Sequence, residues 1–242
     1  MRVSGIAARL RDVRGQIEKA LVECGRPVDS VRLIAVSKTK SSAAIREAYE
    51  AGQRDFGENY VKELELKAEE LTDLPELRFH LIGHLQRNKA KVAARLATTI
   101  HTVDSVRLAE ELGKRAAEPR RVPGSVPPSS KRPDPLSVLV EVNVGGEAQK
   151  SGCAPEDLPA VLKAIEECPS LILSGLMTVP PFTEDSSGAR PYFDRLRELR
   201  DAHGGAARLP DLSMGMSHDV EQAIFAGSTM VRVGRAIFGE RG

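Results

Sequence analysis

Lys38 closes the apolar run VRLIAVSK (31–38). A lysine at the end of a buried strand sets its ammonium against low-dielectric walls. Desolvation lowers its pKa and frees the amine to condense with an aldehyde. Far along the chain, SMGMSHD (213–219) has the form of a strand end, a tight glycine turn and a helix start. The first N–H groups of a helix point outward, and its dipole favours an anion. Ser217 is predicted to begin that helix, as a cap, a phosphate ligand or both. VRVGR (231–235) follows, with Gly234 permitting close backbone approach. An amine and a phosphate cradle describe the two ends of a phosphorylated aldehyde. Pyridoxal 5′-phosphate fits that description, and so does a sugar phosphate handled by a lysine aldolase.

Other groupings carry less chemistry. His80 and His84 are four apart but lie across a strand end, without the glutamate of an H-E-x-x-H site. Packing and solvent account for them. Ser217, His218 and Asp219 spell a triad, but adjacent residues cannot converge on one another. Met177, Met214 and Met216 suit packing as well as contact with a ligand. Lys89 and Lys91 read as a solvated helix face. No metal site is expected.

The elements that must position these residues alternate. Ile6, Leu10, Val13, Ile17 and Leu21 recur at helical spacing over 5–24. Strands are then predicted at 31–38, 54–59, 78–83, 98–104, 137–144, 171–177, 211–216 and 229–234. Helical segments separate them, with Ser105 as an N-cap for 106–117 and Pro155 in the first turn of 155–168. Strand interiors are expected to be apolar, with polar and small residues gathered at the strand C-termini. Eight such units predict a single (β/α)8 TIM barrel over 1–242, with an extra N-terminal helix closing the outer ring. No G-x-G-x-x-G follows the first strand to favour an open sheet. EPRRVPGSVPPSSKRPDPLS (118–137) is a flexible Pro/Ser-rich insertion by composition. In a barrel the active face lies at the strand C-termini, and the loops after strands seven and eight are the commonest phosphate site.

The 35 Lys and Arg balance 34 Asp and Glu. That gives no electrostatic footprint for nucleic acid or an acidic membrane. Cys24, Cys153 and Cys168 form no C-x-x-C pair, which argues against a disulfide framework and for a reducing compartment. Arginines scattered through the N-terminal apolar positions exclude a signal peptide pattern, and no apolar stretch reaches a membrane span. The expectation is a cytoplasmic protein.

The chain resembles the pyridoxal phosphate homeostasis proteins, the YggS-like or PROSC-like family. LIAVSKTK (33–40), FGENYVKE (56–63), FHLIGHLQRNK (79–89), HTVDS (101–105), GLMT (175–178), ARPYFDRLRELRD (189–201) and LSMGMSHDVEQAIFAGSTMVRVGRAIFG (212–239) carry the resemblance. VNV (142–144) and QKSG (149–152) add to it. The resemblance implies a barrel like the N-terminal domain of alanine racemase, with the cofactor held as an aldimine on Lys38. It implies phosphate contacts from Ser217 and Gly234, and Arg232 facing the pyridine nitrogen. Asn59 and the HLIGHLQRNK segment would line the pocket. Arg235 stands where a small residue or threonine is expected. It is either a phosphate partner or solvent-facing.

Arginine keeps its proton and only donates a hydrogen bond, so Arg232 would leave the ring nitrogen unprotonated and the electron sink weak. The chain offers only Tyr49, Tyr60 and Tyr192 as tyrosine bases, and the sequence has no second domain to bring another. The reading is therefore a carrier that buffers pyridoxal phosphate and passes it to apo-enzymes, without strong catalysis. It is expected to be a monomer. An alanine-racemase-like enzyme is the alternative.

Overall fold

Alternation along the short apolar runs sets two faces on every strand. Phe56, Phe79, Leu81 and Ile100 face outward into the apolar core, while Asp55, His80 and His101 occupy the intervening positions. The structure is a computed structural model describing residues 5–119, 134–147 and 149–240. Its eight strands are β1 (Arg32–Val36), β2 (Asp55–Glu58), β3 (Arg78–Leu81), β4 (Thr99–Val103), β5 (Leu136–Glu141), β6 (Leu171–Met177), β7 (Asp211–Met216) and β8 (Met230–Val233). All pair in parallel and in chain order, and β8 pairs back onto β1, closing the barrel. The expected (β/α)8 barrel is therefore what the chain forms.

Among the described residues ten helices surround it: α1 (Ile6–Glu23), α2 (Ser42–Glu50), α3 (Val61–Glu70), α4 (Ala90–Leu96), α5 (Val106–Ala116), α6 (Leu158–Glu166), α7 (Arg190–Ala202), α8 (Gly205–Arg208), α9 (Val220–Phe225) and α10 (Arg235–Phe238). The extra N-terminal helix buries Ile6, Leu10, Val13, Ile17 and Leu21, the stripe its spacing predicts, against α2, α9 and α10. The main core lies between the strands and this ring. Phe193 and Leu196 of α7, Leu162 of α6 and Leu112 of α5 fill it, each fully buried.

Several local expectations change. The helix after β7 starts at Val220, with Asp219 at its N-cap, so Ser217 lies in a turn and caps nothing. The cause is Asp219, whose Oδ1 accepts from Met216 N–H at 2.5 Å and closes that turn on itself. Ser105 occupies the N-cap of α5, but its hydroxyl turns to Asp104 instead of a backbone N–H. The sixth helix begins at Leu158 and carries Pro159, not Pro155, in its first turn. β5 already includes Leu136 and Ser137, which trims the proposed insertion at that end. Its residues 120–133 lie outside the described residues.

The largest correction concerns the barrel interior, which is not apolar. His101 on β4 reaches Ser213 on β7 across the lumen, and Asp55, His80 and Arg232 share that space with Ile34 and Leu139. Gly57 keeps the lumen closed near β1 and β3. A Cβ there would stand 2.9 Å from Ile82 Cδ1 and 3.0 Å from Ile34 Cγ2.

Candidate functional site

β7, β8 and β1 are neighbours, and their register brings three distant segments to one mouth of the barrel. Ala35 pairs with Val233, and Met216 pairs with Arg232. The residues just beyond these pairs are Lys38, Ser217, Gly234 and Arg235. Gly234 packs closely on β1, where a Cβ would stand 3.2 Å from Val36 O. Gly215 sits at φ +95° inside β7, and a Cβ there would stand 2.5 Å from Ala223 Cβ, so only glycine lets α9 lie against the strand.

The turns after β7 and β8 present backbone donors. No acceptor among the described residues takes the N–H groups of Ser217, His218, Gly234, Arg235 or Ala236. Ser217 and His218 are exposed, and the donors after β8 open α10. Unspent N–H groups on adjacent turns form an anion cradle. The Arg235 side chain is exposed at the rim.

Lys38 occupies a tight turn after β1, half-buried, followed by Thr39 at φ +64°. That uncommon conformation for a threonine is held by Glu63, whose Oε2 accepts from Thr39 N–H at 2.8 Å. Beneath the turn, buried Lys67 donates to Ser37 O at 2.9 Å, to Glu58 Oε1 at 2.8 Å and to Glu63 Oε2 at 2.9 Å. Ser37 Oγ donates to the same Glu58 oxygen at 2.6 Å. Burial pushes the Glu58 carboxyl up against the pull of Lys67. Burial also pushes Glu63 upward, but Lys67 and the Thr39 N–H more than offset it and hold Glu63 below its ordinary range. A polar clamp thus fixes the backbone on both sides of Lys38.

Arg232 lies on the lumen face of β8, 4% exposed. Its Nη1 donates to Ser213 Oγ at 2.7 Å and its Nη2 to Thr178 O at 2.9 Å. A guanidinium has five N–H donors. The other three meet no acceptor among the described residues, although Glu141 and Asp219 lend charge from a distance. Burial lowers the Arg232 pKa to about 10, which still leaves it charged near neutrality. Glu141, at the end of β5, is 7% exposed, and its Oε2 has no partner. Burial pushes this carboxyl up to about 7, Asp104 adds to the effect and Arg232 opposes it.

Asn59 follows β2, half-buried, its backbone so close to Gly83 that a Cβ on Gly83 would stand 2.3 Å from Asn59 O. It lies on the same mouth, beyond Lys38 and away from β8. Of the methionines, Met177 and Met214 are packed inside, whereas Met216 reaches the rim. His80 is buried and His84 exposed, on different partners. The sequence reading missed Glu141 and the lumen residues Asp55, His80, His101 and Ser213. For the histidines the available signal was short polar alternation, Arg78 and His80 on β3 and Thr99 and His101 on β4; Asp55 and Glu141 stand in their strands without such a pattern.

Residues 15–242 match the family described as alanine racemase, N-terminal domain. The pyridoxal phosphate homeostasis protein of Pseudomonas aeruginosa is 45% identical over 240 residues, spanning 99% of this chain and 97% of that protein. The protein of the same name from Escherichia coli K12 is 41% identical, over 99% and 98%. The structure of PipY from Synechococcus elongatus with PLP bound superposes with a TM-score of 0.78 at 38% identity, over 97% of this chain and 100% of that one. Alanine racemase from E. faecalis shares the fold, with a TM-score of 0.65 at 16% identity, over 98% of this chain and 58% of that one.

Proposed function

This chain belongs to the alanine racemase N-terminal domain family and, within it, to the pyridoxal phosphate homeostasis proteins, and from that membership we propose that it binds pyridoxal 5′-phosphate and buffers its supply to apo-enzymes. The observation that carries the reading is the row of unspent backbone donors on the turns after β7 and β8, on strands adjoining the one that ends at Lys38. When bound, the cofactor supplies an aldehyde that condenses with a lysine amine, and a ring able to accept electron density.

In this reading Lys38 gives the amine. Ser217, His218, Gly234, Arg235 and Ala236 hold the phosphate through their N–H groups, with Ser217 Oγ and the Arg235 guanidinium free to add to it. Asn59 lines the far wall. Arg232 offers its unspent N–H edge to the ring nitrogen. Because it stays charged and has no lone pair, it donates without surrendering a proton. The ring nitrogen then remains unprotonated and the cofactor a weak electron sink, which suits storage better than amino-acid chemistry. The carrier is read as a cytoplasmic monomer, its recipients being apo-enzymes that use the same cofactor. Among the described residues no helix is long and apolar enough to cross a membrane.

The racemase alternative has one structural candidate for a base. Tyr49 gives its hydroxyl to Pro75 O, and Tyr192 lies on α7, but Tyr60 follows Asn59 at the mouth and is 57% exposed.

The test has two parts. Purified protein given pyridoxal phosphate should develop a visible band, and borohydride followed by peptide mapping should place the label on Lys38. A label on another lysine overturns the site. The loaded protein is then incubated with L- and D-alanine in deuterated water. Lys38-dependent racemisation or α-deuteration at roughly 1 per second or faster, lost in Tyr60→Phe, would overturn the carrier reading and establish the enzyme.

A further inference from the structure

A single row of hydrogen bonds crosses the barrel interior, strand to strand, starting from Arg232. Arg232 Nη1 donates to Ser213 Oγ at 2.7 Å. Ser213 Oγ is 2.9 Å from His101 Nδ1, His101 Nε2 is 2.9 Å from His80 Nδ1, and His80 Nε2 is 2.9 Å from Asp55 Oδ1. Asp55 is then gripped by Arg78, from Nε at 2.9 Å and Nη2 at 2.8 Å. The row visits β8, β7, β4, β3 and β2 in turn. Asp55 and Arg78 begin their strands, so it ends at the mouth opposite Lys38. There both residues line a cavity of about 440 Å³ with Arg14, Arg32 and Arg54.

The hydrogens in this row are countable. The guanidinium at one end can only donate, and an ionised carboxylate at the other can only accept. Burial pushes Asp55 upward, but Arg78 and His80 outweigh it and keep the carboxyl well below its ordinary range. His80 must therefore carry hydrogen on Nε2. His101 is fully buried, and burial above all, with the Arg232 and Arg32 charges adding to it, drives its pKa well below the ordinary value. It holds one hydrogen.

With His80 neutral, its Nδ1 accepts, so the His101 hydrogen sits on Nε2. His101 Nδ1 is then bare and takes the Ser213 hydroxyl hydrogen, leaving the Ser213 lone pairs for Arg232. Every link donates in one direction, toward Asp55. A doubly protonated His80 reverses the middle of the row. His101 and Arg232 would then both donate into Ser213, and the Ser213 hydrogen would have no acceptor among the described residues. A buried donor left without a partner is costly.

We propose that Ser213, His101, His80 and Asp55 are positioning residues for Arg232, fixing from the far mouth of the barrel which guanidinium edge is spent in the core and which is left for the cofactor ring. The ligand in this statement rests on the function proposed above; the order of hydrogens does not. The row pins Nη1 on Ser213, Thr178 O pins Nη2, and the remaining N–H groups have one orientation in which to meet an acceptor.

Two measurements test the proposal separately. Histidine ring 15N–1H correlation spectra of the unloaded protein should show both His80 and His101 as Nε2–H tautomers near neutral pH. An Nδ1–H tautomer at His101 overturns the row without reference to any ligand. The loaded protein is then compared with Ser213→Ala, His101→Phe and Arg78→Ala, each held well below its melting temperature. Cofactor residence time should fall about tenfold in the first two and measurably in Arg78→Ala, with the visible band displaced in all three. A wild-type band position and residence time in folded, loaded Ser213→Ala and His101→Phe overturns the positioning role. Failure of the unmutated protein to load refutes the proposed ligand and the role toward its ring together, while the tautomer result still decides whether the row itself exists.

Discussion

Lys67 Nζ stands 2.8 Å from Glu58 Oε1 with both side chains withdrawn from water, Glu58 completely. The pair sits under the turn that carries Lys38, and Ser37 is bonded to both members. Removing one partner of a buried ion pair strands the other, at a cost of about 3–5 kcal/mol. Lys67→Met should therefore destabilise the protein by that order in urea unfolding. The double variant Lys67→Met with Glu58→Leu should recover a large part of the loss. A double variant that is simply the sum of its singles would show that the pair is not coupled.

Gly234→Val addresses the cradle. The new Cβ would press on Val36 O at 3.2 Å and Val36 Cβ at 3.3 Å, and the strand backbone cannot yield as a side-chain tip would. Cofactor retention, followed by dialysis and visible absorbance, is expected to fall at least about tenfold, the equivalent of about 1.4 kcal/mol. Exposed Lys91→Ala should behave as wild type.

Glu141 makes stability pH-dependent in a particular direction. Its carboxyl rises from 4.5 to about 7 on folding. Between those values the folded protein holds a proton that the unfolded chain has released, so raising the pH favours unfolding. The contribution is present in full below the unfolded value and is lost as pH climbs through about 7, by at most about 3 kcal/mol. Glu141→Gln carries no such proton. Relative to wild type it should gain stability between pH 5 and pH 8 in urea titrations of the unloaded protein. An unchanged difference across that range would refute the shift.

Thiol labelling should rank the cysteines. Cys153 is 5% exposed, and burial pushes its thiol up to about 12, so little thiolate exists at pH 8. Cys24 is exposed on the outer surface after α1. Iodoacetamide followed by mass spectrometry should modify Cys24 early and Cys153 last, the latter only as the protein opens.

Much of this was legible beforehand. The eight apolar runs and the helical stripe of α1 announced the barrel, because strand count and connection length leave few other closed solutions. Lys38, Gly234 and Arg232 could be placed because each sits at or beside a strand end, where sequence position and spatial position nearly coincide. Ser217 was only half legible. Its address was right, but the helix start moved three residues to Val220 because the Asp219 side chain bonds back to Met216, a tertiary detail that helix propensity does not encode. The lumen network was unread for a different reason. Asp55, His80, His101 and Ser213 lie on four separate strands, and pairing across a lumen depends on barrel stagger and not on spacing along the chain. Glu141 is hard to see in the sequence because the apolar run of the fifth strand predicts a strand to 144, whereas 141 is its last paired residue.

Closure of the barrel also decides how another protein can meet this one. In an open sheet the outermost strand offers a ladder of free N–H and C=O groups, and partners join by adding a strand to it. Here β8 is already hydrogen-bonded to β1, so that route is shut along the whole circumference. In the carrier reading proposed above, a recipient would meet side chains and loops, not a strand edge. On the mouth that carries Lys38, the loop after β6 holds Phe182, 83% exposed and stacked on His218 at 6.0 Å, one residue from Ser217. A recipient that flattened or displaced that ring would be touching, in the same motion, the turn assigned to the phosphate.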